Sequence, residues 1–422
     1  MTAVRREVYD VVVVGGGAAG LAAAVGARRC GARTLLVERY GFLGGAATNA
    51  SVLSYCGFFA QGDTPRPMVR GVGAALLATI ASLGLDVTPR RAPSGNWIIM
   101  LDPEAVKHAF DLVVAREGLD VRLHATATGA ARDDHHLRGI VVSDHAGQLD
   151  VQAAAFVDAS GDADLAFVAG VPSMRDRDSM RERQPATFPV RIAGISADVT
   201  IDRDAVAAMA ARLPKPDATG TIRANGGHFL RLPRSNDLWW MGINLDTDGL
   251  DSADTGRAER VGRDLAWRFV EGLRTHIRGF ENAYVVATGP QAGIRDSRQA
   301  MPRVVLSGGD VLAGRTRADG IARGCWPSEV HDRLTGPRFQ PVGGDGYYDV
   351  PLDALRALSV DNLLLAGRVI GCDVRAYASL RVMGTAFATG HAAGVAAAEI
   401  AQKREPSATA IRDMLKAQDA IV

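Results

Sequence analysis

Residues Tyr9 to Arg39 read YDVVVVGGGAAGLAAAVGARRCGARTLLVER. An apolar run, a triple glycine, a helix of small residues, a turn at Gly31 and a second apolar run ending at Glu38 predict strand, turn, helix, strand. Gly15 lets the chain reverse out of the first strand, Gly17 lets a pyrophosphate approach the backbone, and Gly20 lets the helix lie close to the sheet. The helix then offers unpaired N–H groups and the positive end of its dipole to phosphates. Glu38 stands about 20 residues on, where an acid accepts hydrogen bonds from a ribose 2′-hydroxyl. The stretch therefore predicts dinucleotide binding. Arg5 and Arg6 imitate the start of an export signal, but Glu7 and Asp10 break that charge pattern and the glycines would interrupt a membrane helix.

At 422 residues the chain is long enough for two connected domains, and 47% hydrophobic residues can fill a large core. A net charge of +1 argues against an extended nucleic-acid surface and for small-molecule partners. Cys30, Cys56, Cys325 and Cys372 show no C-x-x-C spacing and no cluster with histidine, so no metal is expected and the thiols are read as free in a reducing cytoplasm.

After Glu38, the apolar, glycine-rich segment from Arg39 to Phe59 is expected to hug a bulky ligand. Helical spacing covers Gly71 to Leu83, and Asp102 before Pro103 opens another helix as an acidic N-cap. From Val121 the pattern becomes a meander of strands turning at Arg132–His136 and His145–Gln148, ending in FVDASGDADLA, which brings Ala159 to Asp162 back beside the ligand. Between Val171 and Tyr347 the composition shifts toward Arg, Asp and Pro. Strands are expected at Thr187–Ala193 and Leu238–Leu245, and helices at Asp202–Leu213 and Ala253–Phe280. This is read as an inserted domain. DNLLLAGRVIGCD then gives a buried strand and glycine turn, and RVMGTAFATGHAAGVAAA a small-residue helix whose Gly384, Gly390 and Gly394 permit close approach.

Taken together, GGGAAG at Gly15, LLVER at Leu35, GFLGG at Gly41, DASGDADLA at Asp158, GIRDSR at Gly293 and the C-terminal NLLLAGR and RVMGTAFATGHAAG resemble the FAD-dependent oxidoreductase family, of the glutathione-reductase-like two-dinucleotide-binding type. The resemblance covers nearly the whole chain. It implies an α/β fold: a Rossmann-like FAD-binding domain with a parallel central sheet and a β-meander (residues 1–170 and 348–405), an inserted α+β substrate domain (171–347), and a C-terminal helix or tail (406–422).

It implies noncovalent FAD, with Gly15, Gly17, Ala18 and Gly20 at the pyrophosphate and Glu38 and Arg39 flanking the adenosine ribose. Gly44, Gly45 and Ala46 would run along the phosphates and ribityl chain, Thr126 would lie near adenine, and Ala159, Ser160 and Gly161 would close that side. Gly367 and Arg368 would lie by the ribityl chain, and Gly384 and Thr385 by the isoalloxazine. Arg368 stands where many relatives have an acid, and Asp373 is the candidate replacement. The expected reaction is hydride transfer between a small organic substrate and flavin at a site under the inserted domain. Arg295 would orient the substrate, His331 would take a proton, and Tyr377 would donate a hydrogen bond; Arg298 and Arg381 stand close to these positions in sequence. An NAD(P)H-dependent flavin monooxygenase and an FAD-bound electron-transfer subunit are the alternatives. The electron acceptor (oxygen, quinone or redox protein) and the oligomeric state are left open by the sequence, and no membrane span is expected.

Overall fold

A computed structural model describes residues 5–174, 183–214, 219–332 and 336–422. Its centre is the strand–turn–helix–strand unit: β1 (Arg5–Val14), α1 (Ala18–Arg29) and β2 (Thr34–Val37). Val11 to Val14 are almost wholly buried, as expected of a parallel strand covered on both faces. The chain adds β3 (Asp120–Arg122), β4 (Thr126–Asp133), β5 (His136–Asp144), β6 (Gly147–Asp158) and, after a long excursion, β7 (Leu363–Leu365).

The sheet order is β3-β2-β1-β6-β5-β4, and β7 also pairs with β6. Strands β3, β2, β1, β6 and β7 run parallel, while β4 and β5 form the antiparallel meander. β6 is long enough to serve two neighbours on one edge. Its Gln148–Gln152 half pairs with β5, and Phe156–Asp158 pairs with β7. This exchange brings the C-terminal part of the chain to the β1–β6 crevice, where a doubly wound sheet binds its ligand.

Helix α2 (Met383–Ala401) packs on α1 through missing side chains. A Cβ on Gly390 would lie 2.1 Å from the Ala19 carbonyl oxygen, and one on Gly394 would lie 2.0 Å from that of Ala23. Asp102 caps the helix Pro103–Glu117 through the N–H groups of Glu104 and Ala105, as its sequence predicts.

Within the region between β6 and β7, residues 186–294 build a hydrophobic core of their own, centred on Trp240 stacked 3.7 Å from Phe269, whereas from Ala300 on the chain packs into the main core. A four-stranded antiparallel sheet there runs in the order His228–Arg231, Leu238–Met241, Val190–Ala193, Tyr284–Thr288. The long amphipathic helix Ser252–His276 buries Ala258, Leu265 and Phe269 against that core. The strand expected at Thr187–Ala193 is broken into Ala186–Thr187 and Val190–Ala193, which join different sheets. Leu238–Leu245 divides likewise after Met241. No helix among the described residues is long and apolar enough to cross a membrane.

Candidate active site

A long cleft runs over the C-terminal end of β1 and encloses a cavity of about 140 Å³. Gly15 leaves the strand at φ +101°, and a Cβ there would strike the Ala159 carbonyl oxygen at 2.4 Å. Gly16 N–H donates to Glu38 at 2.6 Å, and Tyr40 N–H donates to the other carboxylate oxygen at 3.0 Å, so Glu38 is fixed across the turn. No side chain caps α1, whose first residues face the cleft. Gly17 and Gly45 meet backbone to backbone: a Cβ on Gly45 would approach the Gly17 Cα to 2.7 Å.

Beside the cleft lies an ion-pair cluster. Arg368 donates to Asp162 at 2.9 Å, Arg39 stands 3.4 Å from the same carboxylate, and Arg298 pairs with Asp164 at 2.9 Å. Burial alone would raise the Asp162 carboxyl, but Arg368 and Arg39 outweigh it and hold it below its ordinary range.

Two further cavities continue from the cleft. An inner chamber of about 160 Å³ shares Ala46, Gly293, Ile294, Arg368, Arg381 and Met383 with it. An outer chamber of about 340 Å³ shares Ser54, Cys56, Met241, Glu329 and His331 with the inner one. Glu329 and His331 lie two residues apart on the strand Ser328–Asp332, so both side chains point to one face. The Glu329 carboxylate takes Trp326 Nε1 at 2.8 Å and His331 Nε2 at 3.0 Å. Burial would raise its pKa, but the N–H donors of His331 and Trp326 and the charge of Arg381 hold it below the ordinary carboxylate range.

Burial and the charge of Arg295 push His331 well below the ordinary histidine value, against the pull of Glu329. The imidazole is therefore neutral: Nε2–H faces Glu329, and Nδ1 faces the Arg223 guanidinium at 3.4 Å. Arg295 donates to the Pro185 carbonyl at 2.7 Å, and Arg381 to the Glu329 carbonyl at 3.1 Å and the Gln184 side chain at 3.3 Å. The Cys56 thiol, pushed up to about 12 by burial, stays protonated as part of the wall.

A family model described as FAD dependent oxidoreductase matches residues 10–418. The chain belongs to that family. FAD is its cofactor and redox chemistry its trade. Among solved structures, BexE, studied for oxidation during BE-7585A biosynthesis, aligns with a TM-score of 0.51 at 14% identity, covering 97% of this chain and 65% of BexE. A geranylgeranyl bacteriochlorophyll reductase-like protein from Thermoplasma acidophilum aligns at 15% identity and TM-score 0.49, covering 98% of this chain and 83% of that one. A flavoprotein/dehydrogenase from Cytophaga hutchinsonii aligns at 13% and 0.49, covering 98% and 84%. At such identities the likeness concerns the fold. No curated protein matches this FAD dependent oxidoreductase in sequence.

The cleft of this oxidoreductase fits its cofactor. An elongated space, an uncapped helix start and facing glycines that leave no room for a Cβ suit a dinucleotide whose phosphates touch backbone. Gly15, Gly17, Ala18, Glu38, Arg39, Gly45, Ala46, Thr126, Ala159, Ser160, Gly161, Gly367 and Arg368 line it. Four expected residues do not. Gly20 seats α1 on Gly15, whose carbonyl oxygen a Cβ would meet at 1.6 Å, and Gly44 N–H ties its loop to the Gly16 carbonyl. Gly384 presses on the Gly57 backbone and Thr385 is fully buried, while their neighbours Met383 and Ala386 face the cleft. Asp373, which the sequence left open as a replacement for the acid, does not line the cleft. It caps the helix Val374–Leu380 and accepts from Gly308 N–H.

Arg295 and His331 line the inner chamber of this oxidoreductase, as does Arg381. Tyr377 lies outside the wall, fully buried, and its hydroxyl donates to the Arg295 carbonyl at 3.1 Å. Its hydroxyl therefore holds the backbone of Arg295 and does not line either chamber. Arg298 braces the 162–164 segment through the Asp162 carbonyl and Asp164. Sequence reasoning passed over Glu329 and Arg223. Glu329 had a signal, the period-two Glu-Val-His on a strand; Arg223 sits in an Arg/Asp-rich region and had none. Among the described residues no group of side chains could hold a metal ion.

Proposed function

We propose that this FAD-dependent oxidoreductase oxidises or reduces a small organic substrate by hydride transfer in the inner chamber. The observation that carries the reading is continuity. Arg368, Arg381 and Met383 wall both the cofactor cleft and the inner chamber, so a molecule in the chamber lies against whatever fills the cleft. FAD supplies the two-electron chemistry when bound.

The chain's own residues position the substrate and handle its proton. Arg295, anchored on Pro185 and held from behind by Tyr377, presents a planar fork to a polar group. His331 Nδ1, which faces the Arg223 guanidinium at 3.4 Å, is the acceptor for a proton leaving the substrate oxygen or nitrogen once the substrate draws that guanidinium away, and Glu329 fixes its tautomer through Nε2 and stabilises the imidazolium that forms.

Anaerobic screening of small organic compounds for flavin bleaching tests this. His331→Ala and Arg295→Ala are expected to keep FAD and fold yet slow bleaching by about 100-fold or more. Because His331 is held neutral, the acid limb of the wild-type rate is expected below pH 6.5. Variants that bleach at the wild-type rate refute these roles. Rapid bleaching by NAD(P)H alone, with oxygen inserted afterwards, would put the chain among the monooxygenases instead.

A further inference from the structure

Where the inner and outer chambers meet, the described residues place more buried positive charge than negative. Arg223 is 1% exposed and Arg295 7%. Arg223 Nε and Nη1, Arg295 Nη2 and Arg381 Nε are buried nitrogen atoms without hydrogen-bond partners. Glu329 is the carboxylate among the residues walling the two chambers, and both of its oxygens are engaged by Trp326 and His331. Arg368 is matched by Asp162.

A guanidinium keeps its proton at any ordinary pH. Burying one with donors unmet is costly unless an anion completes it. Burial, and the mutual repulsion of Arg295 with Arg223 and Arg381, depress the Arg295 guanidinium well below its ordinary range, the sign of a charge still lacking its counterion. Beyond this junction the outer chamber is walled by apolar groups, among them Ile98, Leu230, Trp239, Met241, Trp326 and Phe339.

We infer that the substrate is an organic carboxylate: its carboxylate group completes Arg223, Arg295 and Arg381 at the junction of the chambers, and its apolar body fills the outer chamber. Unmet N–H groups contributed by three guanidiniums match the several lone pairs of a carboxylate, and the aromatic wall matches an aryl or alkyl body. Arg223 is thus a specificity-determining residue. It also faces His331 Nδ1, so the same guanidinium that draws the anion sets the orientation of the proton acceptor. This assignment rests on the inner chamber being the substrate site.

The test titrates the FAD-loaded protein with benzoate, phenylacetate and octanoate, each against its primary amide, following the flavin absorption band and the unfolding temperature. At least one acid is expected to shift the band saturably and raise the unfolding temperature, with its amide about 30-fold weaker or silent. Arg223→Met should weaken that acid by a similar factor with FAD retained. Its unliganded unfolding temperature should hold or rise, because an unmatched buried cation has been removed. Acids and amides binding alike, no acid binding, or an Arg223→Met protein that unfolds or melts lower would each overturn the assignment. A neutral compound that bleaches the flavin while no acid binds would overturn it and leave the redox reading standing. Acids that bind while no compound bleaches the flavin would leave the carboxylate site standing and count against the redox reading.

Discussion

His391 shows how a single side chain can carry a pH dependence far from any chemistry. It lies in α2, 2% exposed, with Nε2 at 2.7 Å from the Gln418 side-chain oxygen, and burial lowers its pKa from 6.5 to about 4. The unfolded chain binds this proton first. The contribution to stability is therefore fully present above pH 6.5 and lost as pH falls toward 4, on the order of 3 kcal/mol across that window. Urea unfolding of wild type and His391→Gln, above pH 6.5 and near pH 4, checks it. The wild-type protein should lose ground against the variant as pH falls, and a constant difference would show that His391 does not titrate in this way. At this scale the sequence was legible where a residue type has one use: the glycine turn and Asp102 before proline. It was least legible for arginine. Arg223, Arg295 and Arg298 look alike in sequence, yet one is buried at a chamber, one is anchored on Pro185 and one braces an acidic loop.

Elements differ in how much a missing side chain matters. Gly394 and Gly31 are both glycines in or beside helices, but a Cβ on Gly394 would lie 2.0 Å from the Ala23 carbonyl oxygen, whereas one on Gly31 would meet nothing within 4 Å. Gly394→Val should therefore cost about 3 kcal/mol or more by forcing α1 and α2 apart. Gly31→Ala, at φ +89°, should cost about 1 kcal/mol from backbone strain alone. Chemical denaturation of both variants checks the ranking, which fails if the two costs are equal. The meander, the capped helices and the amphipathic helix were readable because period and punctuation are local. The breaks at Thr187–Val190 and after Met241 were not, because they depend on which sheet each half joins.

Across the whole molecule, the cofactor cleft is assembled from Gly15 to Ala50, Ala125 to Ala127, Ala159 to Asp164, Gln291 to Ile294 and Ala366 to Ala386. A ligand touching all of these should stabilise the chain as a unit. The unfolding temperature is expected to rise with the logarithm of free FAD, by the equivalent of about 2.7 kcal/mol at a hundredfold excess over Kd. Gly45→Val, which would press a side chain into Gly17, should remove that dependence; a chain whose melting ignores FAD would not be held together by this cleft. The bare fact of such a cleft was legible from seven short motifs, but the charge at the chamber junction was not, since its members lie on segments far apart in the sequence. The seating of α2 on α1 also has a consequence for how the protein is made. At about 5–20 residues per second of synthesis, the roughly 370 residues separating Ala23 from Gly394 take on the order of 20–70 s to appear. For that time α1 leaves the ribosome without the helix that covers its alanine face, and the nucleotide-binding unit can be completed only when α2 emerges.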